Sequence, residues 1–185
     1  MGLLKQLNGN KYSVVEANFL AARRTGHVKA QLPLNPDVFS QNVKAENGML
    51  LKYDTVNGYV TKPADKNTMV MLHFSVEKEY DSLRPGLNTF ALAPGEFYPR
   101  LFGLSLGDTW TTDAVEFSGA TSDAEILAAY EAVSKGDIFC VNDDGFLQEQ
   151  AAGNAIACVV VDNEATLPNG GKALKFEVVQ VGPIA

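Results

Sequence analysis

Residues Gly95–Phe117 read GEFYPRLFGLSLGDTWTTDAVEF. At their centre Leu104-Ser105-Leu106 meets Gly107-Asp108, and Thr109-Trp110-Thr111-Thr112 leads away toward Val115 and Phe117. Glycine supplies the positive φ of a tight reversal, and an aspartate side chain can bond its own backbone two residues on. A Gly-Asp pair between β-branched and aromatic runs therefore predicts a central hairpin. Trp110, the only tryptophan, follows the turn at a place where one face of a sheet should meet the core.

Signals of the same kind flank this stretch. Asn57-Gly58 separates Met49–Tyr53 from Tyr59–Thr61 and predicts an antiparallel hairpin. Thr68–Val76 predicts a strand with Val70, Leu72 and Phe74 on one side and His73 on the other. Arg84-Pro85-Gly86 and Ala93-Pro94-Gly95 punctuate a loop-rich passage in which Phe90, Leu92, Phe97 and Tyr98 supply aromatic and apolar mass, suited to covering a barrel mouth or forming an interface. Downstream, Ser122-Asp123-Ala124-Glu125 is a capping box, and Ile126, Leu127, Tyr130 and Val133 share a face before Gly136, which predicts a helix over about Asp123–Lys135. Ile138–Val141 and Phe146–Gln148 flank a reversal at Asn142-Asp143-Asp144-Gly145, and Ile156–Val161 and Leu174–Val181 form a closing hairpin. Short strands at close spacing with a single helix give a mainly β fold, a small antiparallel barrel or sandwich with one packed helix.

The N-terminal part reads differently. Ser13-Val14-Val15-Glu16 has the form of a capping box, but the valine pair also favours strand, so a short helix or an extended segment is open here. Val28, Ala30, Leu32 and Leu34 alternate, and Pro33 restricts that segment to an edge or an arm. Residues 1–44 hold six basic and two acidic residues, a balance of +4, and the remainder carries −11 of the total −7. The expectation is a basic N-terminal arm over 1–43 joined to an acidic, compact body over 44–185. Such an arm would use Lys11, Arg23, Arg24 and Lys29 as contacts to an acidic partner surface, or else its charge is a solvated face.

Composition bounds the function. With 185 residues, 46% hydrophobic and 20% charged, the chain can bury a core without metal or disulfide. No apolar run reaches the roughly 18 residues of a membrane span, and Met1–Lys5 lacks a secretory pattern, so a protein made in a cytoplasm and kept soluble there is expected. Cys140 and Cys158 are expected to be free and buried. The acidic body disfavours nucleic acid.

Three chemical motifs carry little. Gly103-Leu104-Ser105-Leu106-Gly107 matches the pattern of a nucleophile elbow, but that motif needs a helix after the serine and a histidine later in the chain, whereas His27 and His73 both precede Ser105. Asn142–Gly145 cannot be a calcium loop, because aligning Gly145 with the loop glycine puts Cys140 and Ala151 where anchoring oxygen ligands belong. Asn169-Gly170-Gly171-Lys172 is a hairpin tip rather than a phosphate cradle. The two histidines and two cysteines are too scattered for a zinc site, and no cofactor is implied.

Gly95–Leu101, Gly107–Thr112 and, upstream, Glu46-Asn47-Gly48-Met49-Leu50-Leu51 resemble a family of small head-associated structural proteins of tailed bacteriophages, similar to capsid decoration or auxiliary proteins. The resemblance implies a non-enzymatic virion component on the outer surface of the capsid whose partner is the major capsid protein, with further copies of itself as a second partner. Two alternatives remain beside it. One is a carbohydrate-binding module of the virion surface using exposed Trp110 or Tyr98 as a stacking platform, and the other is a small hydrolase using Ser105.

Overall fold

The computed structural model describes residues 2–21, 27–65, 68–75, 90–149 and 156–181. Eight strands form the main sheet: β1 (Gly2–Leu3), β2 (Val15–Ala21), β10 (Thr109–Thr112), β11 (Val115–Phe117), β12 (Ile138–Val141), β13 (Leu147–Glu149), β14 (Ile156–Asp162) and β15 (Leu174–Val181). Their order is β1-β11-β13-β12-β14-β15-β10-β2, and the sheet curls into a half-barrel. A five-stranded sheet, in the order β3-β9-β7-β5-β6, is built from β3 (Val28–Lys29), β5 (Leu50–Asp54), β6 (Tyr59–Thr61), β7 (Met71–His73) and β9 (Leu101–Phe102). Among the described residues the short pair β4 (Ala45–Glu46) and β8 (Ala91–Leu92) completes the strands, and two helices, α1 (Leu4–Leu7) and α2 (Asp123–Ala132), pack together. The fold is mainly β, as expected, although β11 and β13 run parallel.

The turn at Gly107-Asp108 is present, but the hairpin is not. Gly107 has φ of +81°, the Asp108 N–H donates to the Ser105 carbonyl, and the Ser105 N–H donates back to the Asp108 carboxylate at 2.8 Å. The strands on either side then part: β9 joins the five-stranded sheet and β10 enters the half-barrel between β2 and β15. Residues 95–117 are thus the crossover that ties the two sheets together. Trp110 fills the interior of the half-barrel with no exposed surface, its ring 6.1 Å from that of Phe176, which in turn lies 5.5 Å from Phe139.

Two main cores result. The larger joins Trp110, Phe139, Phe176 and Ile126 to Leu50 and Leu72 of the five-stranded sheet; the second gathers Leu34, Phe39, Met49, Leu51, Leu92 and Leu101. His73 does lie opposite Leu72, but both faces of β7 are covered and the imidazole is fully buried. Among the other expected elements, β5 and β6 pair across Asn57-Gly58, β12 with β13, and β14 with β15. In α2, Ser122 accepts the Glu125 N–H while the Glu125 carboxylate accepts the Thr121 and Ser122 N–H groups. The helix ends at Ala132, short of Lys135, because Val133 turns extended and buries its side chain.

The expected arm needs correction. Gly2 and Leu3 pair with Phe117 and Glu116, Leu4 has no exposed surface, and Val15–Ala21 takes the extended alternative, a strand on β10. Leu34 and Phe39 belong to the second core. Only Val28–Lys29 keeps the edge character that Pro33 implied, at the end of the five-stranded sheet. The physical reason is that Leu4, Val14 and Val15 bury their apolar side chains in the cores of the body. Arg23, Arg24 and the Arg84-Pro85-Gly86 turn lie outside the described residues.

Candidate functional site

The most exposed aromatic pair of the described residues follows directly from β8. Pro94 and Gly95 reverse the chain, with Gly95 at φ of +85°, and Glu96 closes the turn by accepting the Ala93 N–H on its carboxylate at 2.8 Å. Beyond the turn Pro99 is buried, the Arg100 N–H donates to Ser75 Oγ at 2.9 Å, and the Arg100 carbonyl accepts the Phe74 N–H. Phe97 and Tyr98 sit between these two anchors, 74% and 60% exposed. A fixed backbone presenting two large rings to solvent has already lost the entropy that binding would otherwise remove. Lys44, next to exposed Val43, lies 3.9 Å from Glu96 and extends this surface.

Buried polar groups that sequence reasoning missed join the N-terminal segment, β4, β7 and Asp113. Lys5 Nζ meets both carboxylate oxygens of Glu46 at 2.5 Å, and Glu46 also accepts the Ser13 N–H at 2.8 Å. Asp113 accepts the Val14 N–H at 2.6 Å and the Asn10 and Asn8 amides at 2.8 and 3.2 Å. His73 Nδ1 is 2.7 Å from the Glu46 carbonyl, which can only accept, so Nδ1 carries the proton and Nε2 accepts from Ser75 Oγ at 2.7 Å. Charged residues inside an apolar N-terminal segment, such as Lys5 between Leu4 and Leu7, were the available signal.

Two of these groups titrate in opposite senses. Burial pulls the His73 imidazole down to about 4, against the Glu46 carbonyl bond that favours its charged form. Burial pushes the Asp113 carboxyl up to about 6, against the Val14, Asn10 and Asn8 donors and the charge of Lys5. Between its folded value and 6.5, His73 is protonated only on unfolding, so acid in that window favours the unfolded chain. Between 3.8 and its folded value, Asp113 is protonated only in the folded chain, so acid there favours folding. Each effect is about 3 kcal/mol, and the two largely cancel from pH 6 to 4. Asp113→Asn is therefore expected to unmask a fall in urea midpoint between pH 6.5 and 4, and His73→Gln a rise. Parallel pH profiles for the two variants would refute this assignment.

The other sequence candidates separate. Lys11 and Lys29 are both exposed, with their ammonium groups 5.3 Å from the Tyr12 ring and 4.7 Å from the Tyr53 ring. They stand on different parts of the fold, Lys11 after α1 and Lys29 on β3, while Arg23 and Arg24 are outside the described residues. Trp110 is buried and cannot serve as a stacking platform, which leaves Tyr98 alone in that role. Ser105 lies in a turn followed by strand β10, so the strand-to-helix geometry of a nucleophile elbow is not formed. His73 uses both ring nitrogens within the β4–β7 region. Asn142 Oδ1 accepts the Asp144 and Phe146 N–H groups, the pattern of a turn, with Asp144 paired to Lys62 at 2.7 Å. Cys140 and Cys158 are both buried, on adjacent strands, and form no disulfide with each other. Among the described residues no group of three or more His, Cys, Asp or Glu is placed to hold a metal ion. Set against known protein families, curated proteins and solved structures, the chain matches none.

Proposed function

We propose that the chain is a structural component of a tailed-phage head that docks on the outer surface of the capsid shell as a decoration or auxiliary protein. The observation that carries this reading is the exposure of Phe97 and Tyr98 on a turn anchored at both ends. These two residues lie inside Gly95–Leu101, one of the phrases that resemble the head-associated family. Aromatic residues on a rigid loop are the usual anchors of a protein interface, and exposed basic residues elsewhere on the surface, here Lys11 and Lys29, add rate and salt dependence rather than affinity. Because residues 2–15 are built into the body, attachment is assigned to the 93–100 loop rather than to a free arm.

Expanded capsid shells of the host phage, mixed with purified protein and sedimented, test the reading. Phe97→Ala with Tyr98→Ala is expected to weaken capture at least about thirty-fold while leaving the melting transition unchanged, since both rings face solvent. Lys11→Glu with Lys29→Glu is expected to cost no more than about five-fold, and only at low salt. Unaltered capture by the aromatic double variant, or no capture by the parent chain, would overturn the proposal.

A further inference from the structure

We infer that the outer face of the half-barrel carries a groove for a neutral, polyhydroxylated ligand, a saccharide, centred on Thr111. Register builds it. Thr111 of β10 and Asp162 of β14 both pair with Lys175 of the intervening β15, which sets the three residues in one row across adjacent strands. Trp110 and Phe176, their neighbours along β10 and β15, point into the core, so this row faces outward. Strict alternation would have put Asp162 on the same inward side as Val160. A register shift between Val160 and Asp162 reverses it, and a second shift falls between Thr109 and Thr111 where β10 meets β2. Bulges of this kind re-aim side chains.

The row opens into space. A cavity of about 230 Å³ is lined by Thr111, Asp162, Glu164, Thr166 and Lys175. Through the shared Glu164–Thr166 rim it adjoins a second of about 470 Å³, which reaches Tyr130, Asn163 and Lys172. These volumes suit a small ligand. Thr111 is the member that calls for one. It is 1% exposed and its hydroxyl has no hydrogen-bond partner, whereas the hydroxyl of adjacent Thr112 donates to the Val14 carbonyl at 2.8 Å. A buried hydroxyl without a partner is costly unless something else completes it.

The surrounding charges choose the ligand class. Asp162, Glu164 and Glu131 oppose an anion, while Lys172, Lys175 and Lys135, which lies 3.6 Å from Asp162, oppose a cation. A neutral molecule carrying several hydroxyls can donate to the carboxylates and accept from the lysines and from Thr111 at once. The groove shares no residue with the Phe97–Tyr98 turn, so it is independent of the capsid reading.

Titration of the ¹⁵N-labelled full chain with glucose, galactose and N-acetylglucosamine, each added separately, tests the inference. At least one sugar is expected to give saturable shifts at Thr111, Glu164 and Thr166 with a millimolar Kd. Thr111→Val keeps the branched shape and is expected to melt no lower than the parent chain, yet bind that sugar about ten-fold more weakly. Asp162→Asn is expected to weaken it in the same direction. Phe97→Ala with Tyr98→Ala should leave sugar binding intact, and Thr111→Val should leave capsid capture intact, so the two proposals fail separately. Absence of saturable shifts with all three sugars, or parent-like binding by Thr111→Val, would overturn the groove.

Discussion

A chain lacking residues 2–14 is expected not to fold. The deletion removes β1 from the edge of the half-barrel, Leu4 from the larger core and Val14 from its small cluster with Leu167 and Ala173. Leu4 alone, with no exposed surface, is worth about 2–5 kcal/mol when truncated to alanine. The deletion also removes the Lys5 ammonium from Glu46 and the Val14 N–H and both asparagine amides from Asp113, so two buried carboxylates lose partners together. Each such loss costs about 3 kcal/mol or more. Together these reach about 8 kcal/mol or more before the lost β1 pairing and Val14 packing are counted, which is most or all of the 5–15 kcal/mol by which a domain is typically stable. Loss of the near-ultraviolet dichroism of buried Trp110 and of a cooperative thermal transition is the expected readout. A truncated chain melting near the full-length value would show that the N-terminal segment is an appendage after all.

That outcome bears on how far sequence reading reaches. Local signals were legible where the chain's own neighbours decide the structure: Ser122 with Glu125 for the helix start, Asn57-Gly58 for a hairpin, and two apolar runs for β14 and β15. Gly107-Asp108 was legible as a turn, but nothing local says whether the strands beside a turn pair with each other or part into different sheets. That choice is made by contacts of large sequence separation, such as Thr109 with Glu177 and Leu101 with His73. The N-terminus was misread for a related reason. Its positive charge suggested an arm that meets an acidic partner or else stays solvated, yet Lys5 is buried against Glu46, forty-one residues away. The exposed pair Phe97 and Tyr98 was visible as aromatic mass in a loop, whereas the Thr111 row was not, because it depends on the register shift between Val160 and Asp162, which no sequence pattern announces.

Lys5→Ala is expected to destabilise the fold by about 3–5 kcal/mol, far more than a surface ion pair would. The side chains of Lys5 and Glu46 are 9% and 11% exposed, and without the ammonium the carboxylate keeps only the Ser13 N–H. The cost comes from the charge left behind, so a second change that removes it should restore much of the loss. Lys5→Met with Glu46→Gln keeps an acceptor for Ser13 and sets an apolar chain beside the Phe146 ring, which lies 5.5 Å from the Lys5 ammonium. A double-mutant cycle of Lys5→Met and Glu46→Gln by urea denaturation is expected to give a coupling of about 2 kcal/mol or more, with the double variant more stable than Lys5→Met alone. Additive losses would show that the pair is structurally incidental. The same pair also reaches the docking loop: Glu46 lies in β4, β4 pairs with β8, and β8 leads directly into the turn that presents Phe97 and Tyr98. Lys5→Ala should therefore weaken capsid capture even at temperatures where the chain stays folded, and the double variant should recover capture in step with stability. Capture that stays lost in a restabilised double variant would mean that Lys5 or Glu46 touches the shell directly, which their burial argues against.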